Sequence, residues 1–492
     1  MQKYETVSTG VSGLDHVLRG GLPNDMVYLV HGGPGSGKTT LGFQFLLEGV
    51  RRGERVLFAS FLQKRKELER IVASYGWTLD GIDLMDIPDK IRHRSTDVQT
   101  MFSPGEIELH EVTQAIMDAI KKHKPQRLVF DSITELGVLV DSPLQLRRQM
   151  LKFIDCLEDT GCTSIFTANN TMAVDLPSLQ TAVHGVIELG VDRRPYGSSH
   201  RWLEVSKLRG VGYRDGRHDL VMRGEGLKVY PQLEVGTESP PPWTLVASGN
   251  AELDMLFGGG LESGTSCLIT GSTGAGKSTL ASLYVQAAAM RGERSIIFCF
   301  DERRQTFIQR SQGLGMPIVE HIKQGLVDLR QVDFGHMNLG EFFHELRTAV
   351  DEAKAKVVVI DSLTGFCHAM PNQYSIVQLH ELLTYLGKAG ALTLLVEPTH
   401  GIGASESHIL DANTSYISDS VVLLRHFEAI GEVRRCISVL KKRHGHHERT
   451  IREVTMGPGG VTVGPALTHF RHVLSGMPEF VGTADTLHRD LT

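Results

Sequence analysis

The chain has 492 residues, long enough for two or three domains with sizeable cores. Its 51 basic and 57 acidic residues leave a net charge of −6, which argues against a strongly basic nucleic-acid binder. No apolar run approaches the length of a bilayer span and the first residues, Met1 to Thr6, lack an apolar leader core, so a soluble cytoplasmic protein is expected.

The first strong signal in chain order is an apolar strand, Val27 to Val30, running into Gly32-Gly33-Pro34-Gly35-Ser36-Gly37-Lys38-Thr39-Thr40 and then a helical pattern from Leu41. This is a G-x-x-x-x-G-K-[ST] phosphate loop. Its glycines let several backbone N–H groups turn inward toward phosphate oxygens, and the following helix adds its positive end. Lys38 is expected on the β- and γ-phosphates, and the Thr39 hydroxyl on Mg²⁺. A second strand, Val56 to Ser60, ends in Phe61-Leu62-Gln63, with helical patterns at 66–75 and 108–122. A third strand, Leu128-Val129-Phe130, ends in Asp131, placed to hold Mg²⁺ through water. An Asp that only caps a helix is the competing reading. Thr163 to Phe166 forms a fourth strand. A later strand presents Lys207 and Arg209 two residues apart, hence on one face, as a phosphate clamp or a solvated surface.

Residues 231–242, ending in three prolines, have no periodic apolar pattern and read as an extended linker. Beyond it the chain repeats itself. Thr9 to Trp77 overlays Ser248 to Met316 without a gap at an offset of 239 residues. The period is far too long for a solenoid and marks a duplicated domain. The second phosphate loop is Gly271-Ser272-Thr273-Gly274-Ala275-Gly276-Lys277-Ser278-Thr279. Asp361 ends the strand Val357 to Ile360, and Lys441 and Arg443 form the second cation pair. Strands alternating with helices in both halves predict two α/β domains in tandem, each a mostly parallel sheet flanked by helices, with ligands at the carboxyl ends of the strands. The boundaries expected are 1–235, 236–470 and a polar tail at 471–492.

The halves differ after the second strand. The second half carries Asp301-Glu302 where the first has Leu62-Gln63. A carboxylate there can take the proton of a water or hydroxyl attacking the γ-phosphate, with Glu302 the expected base and Asp301 assisting. Gln63 can only orient water through its amide. His444, His446 and His447 read as a polar loop, with a metal tract as the lesser reading. Six scattered cysteines without a Cys-x-x-Cys pair read as reduced, mostly buried thiols.

Two RecA-like ATPase halves in tandem, the Gly-Leu-Asp opening at 13–15 with Glu-Leu-Asp at 252–254, and the late Lys-x-Arg strands resemble the KaiC family of circadian clock ATPases. The final Phe470 to Gly476 is similar to the segment that leads into that family's C-terminal tail. The resemblance implies a homohexamer with ATP and Mg²⁺ between subunits. In it Lys207, Arg209, Lys441 and Arg443 would reach a neighbour's nucleotide. It also implies autophosphorylation at an adjacent hydroxyl pair, here Ser415 and Tyr416, and a regulatory partner protein on the tail. Leu62 and Gln63 depart from the family's paired glutamates, so the first half is expected mainly to bind ATP for assembly. Two other readings remain open: a nucleotide-dependent scaffold with little catalysis, and a RecA-like DNA-associated ATPase.

Overall fold

The computed structural model describes residues 5–61, 63–86, 104–138, 143–170, 176–193, 198–234, 239–333, 337–368, 375–399, 416–429, 431–474 and 478–482. The chain divides into two compact units, Met1–Gln232 and Leu233–Thr492.

In the first unit the strands are β1 (Val27–Gly32), β2 (Val56–Ser60), β3 (Ile82–Asp86), β4 (Arg127–Asp131), β5 (Thr163–Asn169), β6 (Gly185–Asp192), β7 (His200–Leu208), β8 (Arg217–Arg223) and β9 (Gly226–Tyr230). Among the described residues they form one nine-stranded sheet in the order β9-β8-β7-β6-β1-β5-β4-β2-β3. The strands from β6 to β3 in that order run parallel, and β7, β8 and β9 add to it antiparallel. Helices α1 (Lys38–Arg51), α2 (Arg65–Ala73), α3 (Pro104–His123) and α4 (Pro143–Thr160) link the parallel strands.

The central strands read as unbroken apolar runs because both of their faces are covered. Tyr28, Val30 and Phe58 pack on one side of the sheet with α1. Val27, Leu29 and Leu57 pack on the other with α3 and α4. Phe43 of α1 stacks on Phe58 with ring centroids 4.5 Å apart, which seats the helix over the sheet. The buried guanidinium of Arg127 ties this unit together, forking onto Glu54 and donating to the carbonyls of Ser8 (2.7 Å) and Phe45 (2.9 Å).

The second unit repeats the plan with β10 (Ser266–Gly271), β11 (Ser295–Cys299), β12 (Val327–Gln331), β13 (Val357–Asp361), β14 (Leu392–Pro398), β15 (Ser420–Ala429), β16 (Glu432–Lys442), β17 (Arg452–Gly457) and β18 (Gly460–Ala466). Its order, β18-β17-β16-β15-β10-β14-β13-β11-β12, is that of the first sheet, strand for strand. Its helices include α5 (Lys277–Met290) and α6 (Arg304–Gly313). Helix α5 is apolar nearly all round, with Ala281, Tyr284 and Ala288 buried, as befits a helix enclosed on most sides. Residues 239–242 lie outside helix and strand and are exposed. Among the described residues no helix is long and apolar enough to cross a membrane.

Candidate active site: two phosphate loops and a cleft beside the second

Each loop leaves the carboxyl end of a central strand and feeds a helix. The turn into the helix is made by Gly37 at φ 107° and by Gly276 at φ 101°, values that L side chains rarely adopt. Gly271 is tighter still, since a Cβ there would sit 1.8 Å from the carbonyl oxygen of Leu424. Pro34, Gly35, Thr273 and Gly274 form the exposed crests, whereas Ser36, Thr40, Ala275 and Thr279 are buried beneath them.

The loop lysines fold back over their own loops. Lys38 Nζ donates to the carbonyls of Gly32 (2.9 Å) and Gly33 (3.0 Å), and Lys277 Nζ to those of Gly271 and Ser272 (both 2.8 Å). Burial lowers the pKa of both, partly offset by Asp131 and Asp361 respectively; Lys277 falls to about 8. A buried cation short of counter-charge is suited to an incoming anion.

The strand-end aspartates meet the loop hydroxyls. Thr39 Oγ1 donates to Asp131 Oδ2 at 2.7 Å, and Ser278 bonds Asp361 in the same way. The other Asp131 oxygen accepts from Thr167. The residue facing Asp361 on the neighbouring strand is Val396, and Asp361 Oδ2 is buried without a hydrogen-bond partner. Burial raises the pKa of Asp361, opposed by Ser278 and by the nearby Arg310 and Lys277. An orphaned carboxylate oxygen beside a loop hydroxyl fits a hydrated divalent cation, so Ser278 and Asp361 are the side chains that would hold Mg²⁺.

An open cleft of about 1020 Å³ borders the second loop, lined by Lys277, Ser278, Thr279, Asp301, Glu302, Arg310, Asp361 and Arg435. Strand β11 ends at Cys299, so Asp301 and Glu302 sit on the bend beyond it. Asp301 accepts from the Ser362 hydroxyl. Glu302 is gripped by Arg310, with Nε to Oε1 at 3.2 Å and Nη2 to Oε2 at 2.9 Å. In the first unit Gln63 makes main-chain bonds with Ser60, and its side-chain oxygen is buried and unpartnered. Leu62 lies outside the described residues.

Lys207 and Arg209 do not approach their own loop. Lys207 pairs with Val186, beside Leu29, at the amino half of the parallel strands, about 10 Å before the loop begins. Its Nζ donates to the carbonyls of Gln180 and Val183, both at 2.7 Å, and Arg209 donates to Thr181 at 3.1 Å. Lys441 and Arg443 hold the equivalent place, Lys441 on Ser418 O at 2.7 Å and Arg443 on Asp419 Oδ1 at 3.3 Å and the Tyr416 carbonyl. Burial and the adjoining arginine lower the pKa of each lysine. Among the described residues, Arg201, with Nε 3.4 Å from Gly35 O, and Arg435, 3.3 Å from Gly274 O, do reach the loop carbonyls in cis. Sequence reasoning passed over both; their signal was a basic residue in register on the strand antiparallel to the one beside each loop.

The Tyr416 side chain is exposed, while Ser415 lies outside the described residues. His444 packs against the Trp243 ring at 4.2 Å. Of the six cysteines, Cys162, Cys267, Cys299 and Cys436 are buried.

The duplicated sheet and its two phosphate loops define a tandem RecA-like P-loop protein. The family described as "ATPase: KaiC" matches the chain twice, over residues 7–234 and 246–468. The chain belongs to the KaiC ATPase family and is an ATP-binding, ATP-hydrolysing P-loop enzyme. It is 27% identical to "Circadian clock protein KaiC3" of Synechocystis sp., over 98% of this chain and 96% of that protein. It is 26% identical to "Circadian clock oscillator protein KaiC" of Synechococcus elongatus (97% and 92% covered) and 28% identical to the protein of that name from Prochlorococcus marinus (97% and 96%).

Proposed function

We propose that the second unit performs the chemistry and that the first chiefly binds ATP to hold a homohexamer together, with nucleotide between neighbouring subunits. In the second unit Glu302 takes the proton of a water or of a chain hydroxyl. The freed oxygen bonds to the γ-phosphorus, the bond to the β–γ bridging oxygen breaks, and ADP leaves. Asp301 assists, Lys277 neutralises the phosphates, and Ser278 and Asp361 hold Mg²⁺; Thr39 and Asp131 hold it in the first unit. With water as nucleophile the reaction is hydrolysis. With a hydroxyl it is autophosphorylation, for which Ser415 is the preferred acceptor and Tyr416, whose oxygen lies farther from the backbone, the alternate. Lys207, Arg209, Lys441 and Arg443 act on a neighbour's nucleotide, since they lie away from their own loops. The phosphorylated and unphosphorylated forms make up a signalling switch of a cytoplasmic protein, read by a partner at residues 471–492.

The observation that carries this reading is the asymmetry at one strand end: Asp301 and Glu302 line the second cleft, whereas Gln63 stands at the equivalent place in the first unit. The relatives with clock names favour the switch. The test is Glu302→Gln in the full chain. ADP production is expected to fall to the first unit's residual rate while nucleotide binding persists; unchanged turnover would remove the base assignment.

A further inference from the structure

We propose that Arg310 is a positioning residue for the second unit's reaction, tying the Glu302 carboxylate to the phosphate loop through Thr279. This rests on the reading of Glu302 as the base. The guanidinium uses three nitrogens. Nε and Nη2 fork onto the two Glu302 oxygens, and Nη1 lies 3.3 Å from Thr279 Oγ1, one residue beyond Ser278. Its central carbon lies over the ring of Phe307, 4.8 Å from the centroid, and Phe307 is 1% exposed and anchored in the core. Glu302 itself sits on a bend outside any strand or helix, where packing alone leaves a carboxylate free to turn. A fork on both oxygens fixes the carboxylate plane, which a single point charge cannot do. The link to Thr279 then sets the base at a constant place relative to the loop that holds the phosphates.

The internal repeat supplies the comparison. In the ungapped alignment Glu302 corresponds to Gln63, Arg310 to Ile71 and Thr279 to Thr40. The loop threonine is in both units, while the carboxylate and its cation are present together in one and missing together in the other. A purely structural ion pair is a weak explanation. The side chains of Arg310 and Glu302 are 26% and 23% exposed, so water screens the pair in part and its contribution to stability is modest.

The test is a double-mutant cycle on the full chain, comparing Arg310→Met, Arg310→Lys, Glu302→Gln and Glu302→Gln/Arg310→Met. ADP production, affinity for a non-hydrolysable ATP analogue and melting temperature are measured for each. The residual rate of Glu302→Gln gives the first unit's share, which is subtracted. Arg310→Met is expected to lower second-unit kcat about 10- to 100-fold, the cost of a misplaced reacting group, with analogue affinity and melting temperature near wild type. Arg310→Lys recovers part of the loss, and Arg310→Met costs nothing further once Glu302 is Gln. An unchanged kcat in Arg310→Met, with Glu302→Gln inactive, overturns the inference alone. Analogue binding weakened equally by Arg310→Met in both backgrounds also overturns it, making Arg310 a ligand-binding group. Full activity in Glu302→Gln overturns the base reading and this inference together.

Discussion

Lys277 makes nucleotide binding in the second unit depend on pH in a direction set by burial. In the empty loop its pKa is about 8, against an ordinary lysine value of 10.5, because burial outweighs the help of Asp361. The phosphates of ATP bring negative charge to within reach of Nζ and restore the protonated form. Binding therefore takes up a proton wherever the empty site has lost one: about 0.1 per site at pH 7, about 0.5 at pH 8 and about 0.9 at pH 9. Affinity falls correspondingly by about tenfold between pH 7 and pH 9, or about 1.4 kcal/mol. Lys38 moves in the same direction, so the uptake per chain is no smaller than the second unit's share. The assay is calorimetric titration of Mg-ATP analogue at pH 8 in two buffers of different ionisation enthalpy, the slope giving protons taken up. The sign for folding follows from the same values. Between pH 8 and 10.5 the unfolded chain holds more protons at this lysine than the folded one, so Lys277's contribution raises the stability of the empty protein as pH rises through that window. A binding enthalpy independent of buffer at pH 8, or net proton release, would refute the reasoning.

Two further outcomes are expected. Arg127→Ala strands Glu54 and the carbonyls of Ser8 and Phe45 around a fully enclosed guanidinium site, and is expected to destabilise the first unit by about 3–5 kcal/mol, read by chemical denaturation; a change under about 1 kcal/mol would contradict it. A chain with Lys441→Ala/Arg443→Ala and a chain with Lys277→Ala are each expected to lose second-unit turnover. Mixed before assembly, they recover part of it, because one supplies the loop and the other the cations; no recovery would place the cations in cis.

Much of the plan was legible because it rests on local chemistry. A glycine-rich loop between a strand and a helix has few other uses, and the repetition at 239 residues carried the expected architecture of one half onto the other. Asp131 and Asp361 were readable because a buried parallel strand that ends in an acid brings it to the edge where the loops lie. What escaped depends on contacts distant in sequence. Arg310 lies on α6 and Glu302 on the bend before it, and nothing in the spacing of eight residues announces a fork. Thr167 meets Asp131 across two neighbouring strands, while Val396 leaves Asp361 Oδ2 unpartnered at the corresponding place. The place of Lys207 and Lys441 at the amino half of the sheet follows from the antiparallel return of β7 and β16. An alternating pattern of side chains shows which face a residue takes, but not which end of the sheet it reaches.

The measurement closest to the central claim is intact mass and peptide mapping of the full chain after incubation with Mg-ATP, beside an Asp301→Asn/Glu302→Gln variant. The account predicts ADP, together with a phosphate on Ser415 or Tyr416 that is missing from the variant. A chain that stays unphosphorylated, or a phosphate that survives in the variant, would contradict the claim that these carboxylates drive phosphoryl transfer onto the chain itself.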